Sequence, residues 1–170
     1  MKRYKYYLLW IPAIFIMILI FFFSAQNGNT SSETSGGFAE FLAKISHPDF
    51  ASFSDSKKLS VLSNCQFIVR KAAHFSVYAA LGFFCTLPLL PYKNLSFAKR
   101  LAASILISAV YAFSDEFHQY FVPERSCRIT DVLIDTCGAL TGAFCFSILV
   151  YFIKKIKFQK KSWQIDITGI

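Results

Sequence analysis

Residues 67–90 read FIVRKAAHFSVYAALGFFCTLPLL. This run is long enough to cross a bilayer as one helix, which takes about 20 residues. Its ionisable groups, Arg70, Lys71 and His74, all lie near its start. Such groups are costly inside a membrane-length apolar run, so they face a bundle interior and mark a working site. Helical spacing gathers them on one stripe. Arg70, His74 and Tyr78 follow i, i+4, i+8, and Lys71, His74 and Tyr78 follow i, i+3, i+7.

Three more apolar runs lie to either side, at about 6–25, 101–121 and 129–153. The third span is charged only at its end and the fourth only at its start. The chain has 170 residues, 55% of them hydrophobic, with a mean hydropathy of +0.45. A soluble protein of this size would have to bury nearly every helix face, which so short a chain does not achieve. The expected fold is all-α, an integral membrane bundle of four transmembrane helices with an external loop carrying short interfacial helices. Residues 6–25 form the first helix, 26–66 the external loop, 67–150 a core with helices two to four, and 154–170 a basic tail. Asn27 to Gly37 reads as a mobile loop, rich in Gly, Ser, Thr and Asn. A short helix follows from Phe38, and Asp55 or Ser56 caps another that runs into the second span.

Charge orients the bundle. Lys2, Arg3, Lys5, Lys93, Lys99, Arg100, Lys154, Lys155, Lys157, Lys160 and Lys161 fall on one side, with Asp166 as the sole acid. The other side holds nine of the ten acids and the remaining seven basic residues. The positive-inside rule then places both termini in the cytoplasm and the ionisable clusters on the outer side. The net charge of +8 is thus topogenic. It forms no groove-sized basic patch, so no nucleic-acid partner is expected. Trp163 is positioned to anchor the tail at the interface. Met1 to Ala25 also resembles a signal peptide, but bulky Phe23 and the long apolar run favour an uncleaved helix.

The five cysteines match no zinc or redox spacing. Cys85, Cys137 and Cys145 read as packing residues. Cys65 and Cys127 share the outer side, which leaves a disulfide open as an alternative to free thiols.

Polar groups recur at matching depth on the other helices. Tyr111, Asp115 and Gln119 form an i, i+4, i+8 stripe, with His118 beside it. Asp131, Asp135, Gly138 and Gly142 share a face of the last helix, and Ser24 and Gln26 end the first. Asp115 lies about 12 Å below Pro123, and Asp135 about 9 Å past Ile129. Both need inward partners. One reading is an ion-pair network in which Arg70, Lys71, Arg125 and Arg128 balance Asp115, Glu116, Asp131 and Asp135. Neutrality alone leaves His74, His118, Tyr78 and Gln119 without a reason, whereas a headgroup-binding cavity uses them. His74, Asp115 and Glu116 are the catalytic candidates, with His74 as general base. Ser114 and Ser126 are nucleophile candidates only by proximity. His74, Asp115, Glu116 and His118 form a weaker metal alternative with no supporting motif, so no metal or cofactor is expected. The Gly138–Gly142 pair is a GxxxG motif, read first as packing within the chain and second as a homodimer contact.

Arg70-Lys71-Ala72-Ala73-His74 with Tyr78 and Gly82, then Ser114-Asp115-Glu116-Phe117-His118-Gln119, then Pro123, Arg125, Asp131, Gly138 and Gly142 resemble the VanZ family. Phe23-Ser24-Ala25-Gln26 is similar to that family's first polar motif. The likeness runs from about residue 8 to 150. It implies a bacterial membrane protein, and the family's namesake is linked to resistance to teicoplanin, a lipid-tailed glycopeptide. It carries over Arg70, Lys71, His74, Tyr78, Asp115, Glu116, Gln119, Arg125 and Asp131. Glu124 departs from the pattern, since a small residue, often glycine, is expected before Arg125, and His118 lies outside it.

The leading expectation is a protein that binds or modifies an envelope amphiphile at the outer leaflet. Its partner would be a membrane lipid, a lipid-linked wall precursor or a lipoglycopeptide antibiotic. Arg70, Lys71 and Arg125 would meet phosphate or carboxylate. Asp115, Glu116 and Asp131 would orient those cations or bind amines, and Tyr78 and Gln119 would add neutral hydrogen bonds. The alternatives are a lipid-headgroup hydrolase or transferase with His74 as base, and a structural or partner-binding subunit.

Overall fold

The computed structural model describes the backbone of residues 3–125 and 127–168 and the side chains of 6–125 and 127–159. The side chains of Lys2, Arg3, Lys5, Ser126, Lys160, Lys161, Trp163 and Asp166 lie outside the described residues. Every regular element described is helical. The α-helices are α1 (Ile11–Ser24), α2 (Gly28–Ser46), α3 (Asp55–Thr86), α4 (Phe97–Gln119) and α5 (Ile129–Thr168). Four segments are long and apolar enough to cross a membrane: Tyr6–Ser24, Asp55–Leu89, Phe97–Gln119 and Ile129–Gln159. Their outward faces suit lipid. Ile14, Ile18 and Phe22 on α1, Leu106, Val110 and Phe113 on α4, and Leu140 and Phe144 on α5 are all exposed. The protein is a multi-pass membrane protein.

The first span begins as a 3-10 helix, Arg3–Trp10, and becomes α-helical at Ile11. Pro12 accounts for a change of winding there. It offers no N–H, and its ring crowds the carbonyl one turn earlier, so a regular α-turn across it is disfavoured.

Most of the packing is between α3 and α5. A Cβ added at Gly138 would collide with the Phe75 backbone, at Gly142 with the Ala79 backbone, and at Gly82 with the Ala139 backbone. The two main chains therefore touch, as small residues allow when lipid supplies no hydrophobic drive between helices. The GxxxG face is used inside the chain, and a homodimer through the same glycines would need this helix pair to separate. α4 is held to α3 by hydroxyls at one end of the bundle. The Ser104 and Thr86 hydroxyls both donate to the Gly82 carbonyl, at 2.8 and 3.0 Å. α1 leans on α4, where the Tyr111 hydroxyl donates to the Met17 carbonyl at 2.6 Å.

The segment between the first two spans differs from expectation. Residues 28–37 are not a loop but the first half of α2. Asn27 caps that helix, its side chain accepting from the Thr30 N–H at 2.8 Å. Ser35, Ala39 and Ala43 recur every fourth residue and are buried. Composition suggested mobility, but this stripe of small residues lets α2 lie close on the first half of α3. Ala39, Ala43, Phe50 and Cys65 form a satellite core there. That core also explains why no Cys65–Cys127 disulfide forms: Cys65 is buried in it, whereas Cys127 is exposed and free.

Candidate functional site

Three helix ends and one loop meet above the α3–α5 contact. Because glycines bring α3 and α5 together, the ionisable residues one and two turns further along are brought together as well. The Lys71 ammonium lies 2.5 Å from an Asp131 carboxylate oxygen. His74 Nδ1 lies 3.6 Å from Asp135, whose side chain is fully buried. That spacing is an ion pair when the imidazole is protonated and is too long for a hydrogen bond. Neither Asp135 oxygen has a hydrogen-bond partner.

α4 contributes the next layer. Gln119 donates to Asp115 at 3.2 Å, so the i, i+4 pair expected from spacing is formed. Both are buried. The Tyr78 hydroxyl is buried next to Asp115. Glu116 turns elsewhere: one oxygen accepts from the Arg128 backbone N–H at 2.9 Å. Arg128 directly precedes α5, so this carboxylate sits at the helix N-terminus, where the backbone dipole favours negative charge. His118 stacks on Phe21 of α1 at 5.0 Å. Among the described residues, no cluster of three or more His, Cys, Asp or Glu is arranged to hold a metal.

A cavity of about 260 Å³ opens between α1, α2 and α3. Arg70, His74, Asp115 and Arg125 line it, with Ser24 and Gln26 from the end of α1. Its apolar wall includes Ile20, Phe23, Val69 and Val77. α2 closes one side with Ser31, Thr34, Ser35 and Phe38. Sequence reasoning missed this contribution. The i+4 stripe of small residues in α2 was the available signal.

Arg125 is held by backbone. Its Nε donates to Gln26 O at 3.1 Å and Nη2 to Phe23 O at 3.3 Å. It thus satisfies carbonyls left open at the end of α1. Burial and the nearby Arg70 charge push its pKa below the usual guanidinium value, although an arginine stays protonated in a protein. Arg70 makes no ion pair or hydrogen bond among the described residues. Four cations therefore do not simply cancel four anions. Lys71 takes Asp131, Glu116 takes a backbone N–H, and Arg70 and Arg125 are left facing the cavity.

The order of these residues along the chain decides the family. A family model described as VanZ/LLP1 matches residues 9–151.

The chain belongs to the VanZ/LLP1 family.

No curated protein and no solved structure gives a match. Within this VanZ/LLP1 chain, the cavity brings together four of the expected residues: Arg70, His74, Asp115 and Arg125. Gln119 and Tyr78 stand behind Asp115. Lys71 and Asp131 form a pair beside the cavity, and Glu116 anchors α5.

The departure at Glu124 has a visible compensation. Its φ is 63°, the left-handed region that favours glycine. Its carboxylate accepts from the Asn29 backbone N–H at 3.1 Å and from the Asn29 amide at 2.9 Å. These bonds tie the loop to the first turn of α2. Left-handed backbone costs a non-glycine residue about 1–2 kcal/mol, comparable to what two exposed hydrogen bonds return at about 0.5–1.5 kcal/mol each. Glu124→Gly should therefore leave stability nearly unchanged. Glu124→Ala, which keeps the strain and loses the bonds, should destabilise by about 1 kcal/mol or more. Unfolding midpoints of the two variants in the same detergent would check this.

Proposed function

We propose that the protein binds an anionic amphiphile of the bacterial cell envelope from the outer leaflet, with both termini cytoplasmic. The observation that carries this reading is the pair Arg70 and Arg125. They line one cavity, have no carboxylate within ion-pair distance among the described residues, and adjoin an apolar wall. Cations on apolar surface suit a phosphate or carboxylate headgroup attached to a lipid tail, and guanidinium forks bind such groups in bidentate fashion. Asp115, on the same wall, suits an amine of the ligand. Its bond to Gln119 fixes its direction. A lipid-linked wall precursor fits this description, as does a lipid-tailed glycopeptide. By holding such a molecule, the protein would contribute to teicoplanin-type resistance.

A chemical reading of the same site rests on His74, which lines the cavity and is backed by Asp135. In that reading the imidazole is the general base of headgroup hydrolysis or transfer.

One experiment addresses both. The full chain in nanodiscs is titrated with undecaprenyl diphosphate, and product formation is followed by mass spectrometry. Arg70→Gln with Arg125→Gln should weaken binding by about tenfold per lost charge-assisted contact. Wild-type affinity in that double variant sinks the binding reading. Turnover that His74→Gln stops while binding persists would favour catalysis.

A further inference from the structure

At the other end of the bundle, a second and smaller cavity of about 170 Å³ opens between the start of α4 and α5. Arg100 and Lys154 are its cations, and Phe97, Phe146, Val150 and Tyr151 are among its walls. Arg100 lies fifteen residues before Asp115 on α4, about 22 Å along the helix axis. This cavity is therefore separate from the site described above.

We infer that this cavity is a binding site for the phosphate of an anionic phospholipid in the leaflet opposite the first site. Three observations converge. First, Arg100 is only partly satisfied. Its Nη2 donates to the Tyr92 carbonyl at 3.0 Å, which fixes the guanidinium plane, while its Nε is buried without a partner. A buried donor on a cation calls for an acceptor, and an anionic one is the strongest.

Second, the described residues supply no counter-charge here. No Asp or Glu occurs between Asp55 and Asp115, nor between Asp135 and Asp166. Lys93, Lys99, Lys155 and Lys157 add to the positive field at the same end. Third, the walls are mostly apolar, with Thr86 and Ser147 as their neutral polar members, and belong to helices that qualify as membrane spans. A headgroup reaching this cavity stays joined to acyl chains lying along α4 and α5. Basic pockets between transmembrane helices bind phospholipid headgroups in this way.

The test uses the delipidated full chain in detergent, titrated with phosphatidylglycerol or phosphatidylcholine and read by native mass spectrometry. The wild type should retain phosphatidylglycerol at least about tenfold more tightly than phosphatidylcholine. Arg100→Gln with Lys154→Gln should remove that preference. Lys155→Gln with Lys157→Gln makes the same charge change at the same end outside the cavity and should keep it. Arg100→Lys retains the charge and guards against misfolding of the glutamine variant. Combined with Lys154→Gln, it should show an intermediate preference.

Equal retention by wild type and Arg100→Gln/Lys154→Gln overturns the proposal. So does equal loss in the Lys155/Lys157 control, which means diffuse attraction without a site. Competition by glycerol phosphate at concentrations equal to the lipid identifies a soluble phosphate as the ligand and also overturns it.

Discussion

Gly142→Val should separate α3 from α5 and leave a chain that no longer assembles its polar site. A Cβ at position 142 would run into the Ala79 carbonyl. The obstacle is main chain in the middle of a helix, so it cannot move aside as a side-chain tip can. Forcing extra atoms into a packed interior costs about 1–3 kcal/mol when side chains absorb the shift, and more when they cannot. Gly82 and Gly138 make the same kind of approach to α5 and α3 respectively, so displacement at one point strains the others. We expect a loss above about 3 kcal/mol, read as a collapse of the unfolding midpoint in mixed micelles. Gly142→Ala should fall in the same direction by less. Leu140→Val, on the exposed face of the same helix, should be nearly silent. An unshifted midpoint in Gly142→Val would mean that the helices do not meet at this face.

Breaking the Lys71–Asp131 pair comes next in size. Lys71 is 22% and Asp131 14% exposed, so water screens them little. Removing one partner leaves the other charge largely buried beside the cavity without its ion-pair partner. Orphaned buried charges cost about 3–5 kcal/mol, and partial exposure here argues for about 2–3 kcal/mol. Asp131→Ala and Lys71→Ala should each show this loss. The double replacement Lys71→Met with Asp131→Leu should recover most of it, because apolar pairs often replace buried ion pairs without penalty. Additive losses in the double variant would show that the two side chains are not coupled. Binding in the adjacent cavity separates structure from function: it should survive the apolar pair if Arg70 and Arg125 hold the ligand.

The sequence made some of this legible and hid the rest for physical reasons. Span number and the helical stripes were readable because bilayer thickness fixes length and 3.6-residue geometry fixes faces. The i, i+4 bond between Gln119 and Asp115 follows from the same geometry. The partner of each charge was not readable. Asp131 and Asp135 choose Lys71 and His74 because Gly82, Gly138 and Gly142 set the register of α3 on α5. That register is a property of two helices together. In the ion-pair-network reading Arg125 balances a carboxylate, yet it takes two backbone carbonyls. Side-chain charge counting does not see open main-chain acceptors. α2 was misread in its first half because Gly, Ser and Thr favour loops by local preference, whereas tertiary contact with α3 rewards small residues at every fourth position.

Evolutionary drift at the clasp between Glu124 and Asn29 should be linked. The strain of a glutamate at that left-handed position is offset only while an asparagine, or another side chain able to meet it, stands across the gap. Where a relative carries glycine at the position of Glu124, the partner position loses its reason to be polar and is released to vary. Two residues 95 apart in sequence would then be inherited as a unit. A chimaera that exchanged the segment between the first two spans without the loop before α5 would inherit half a clasp.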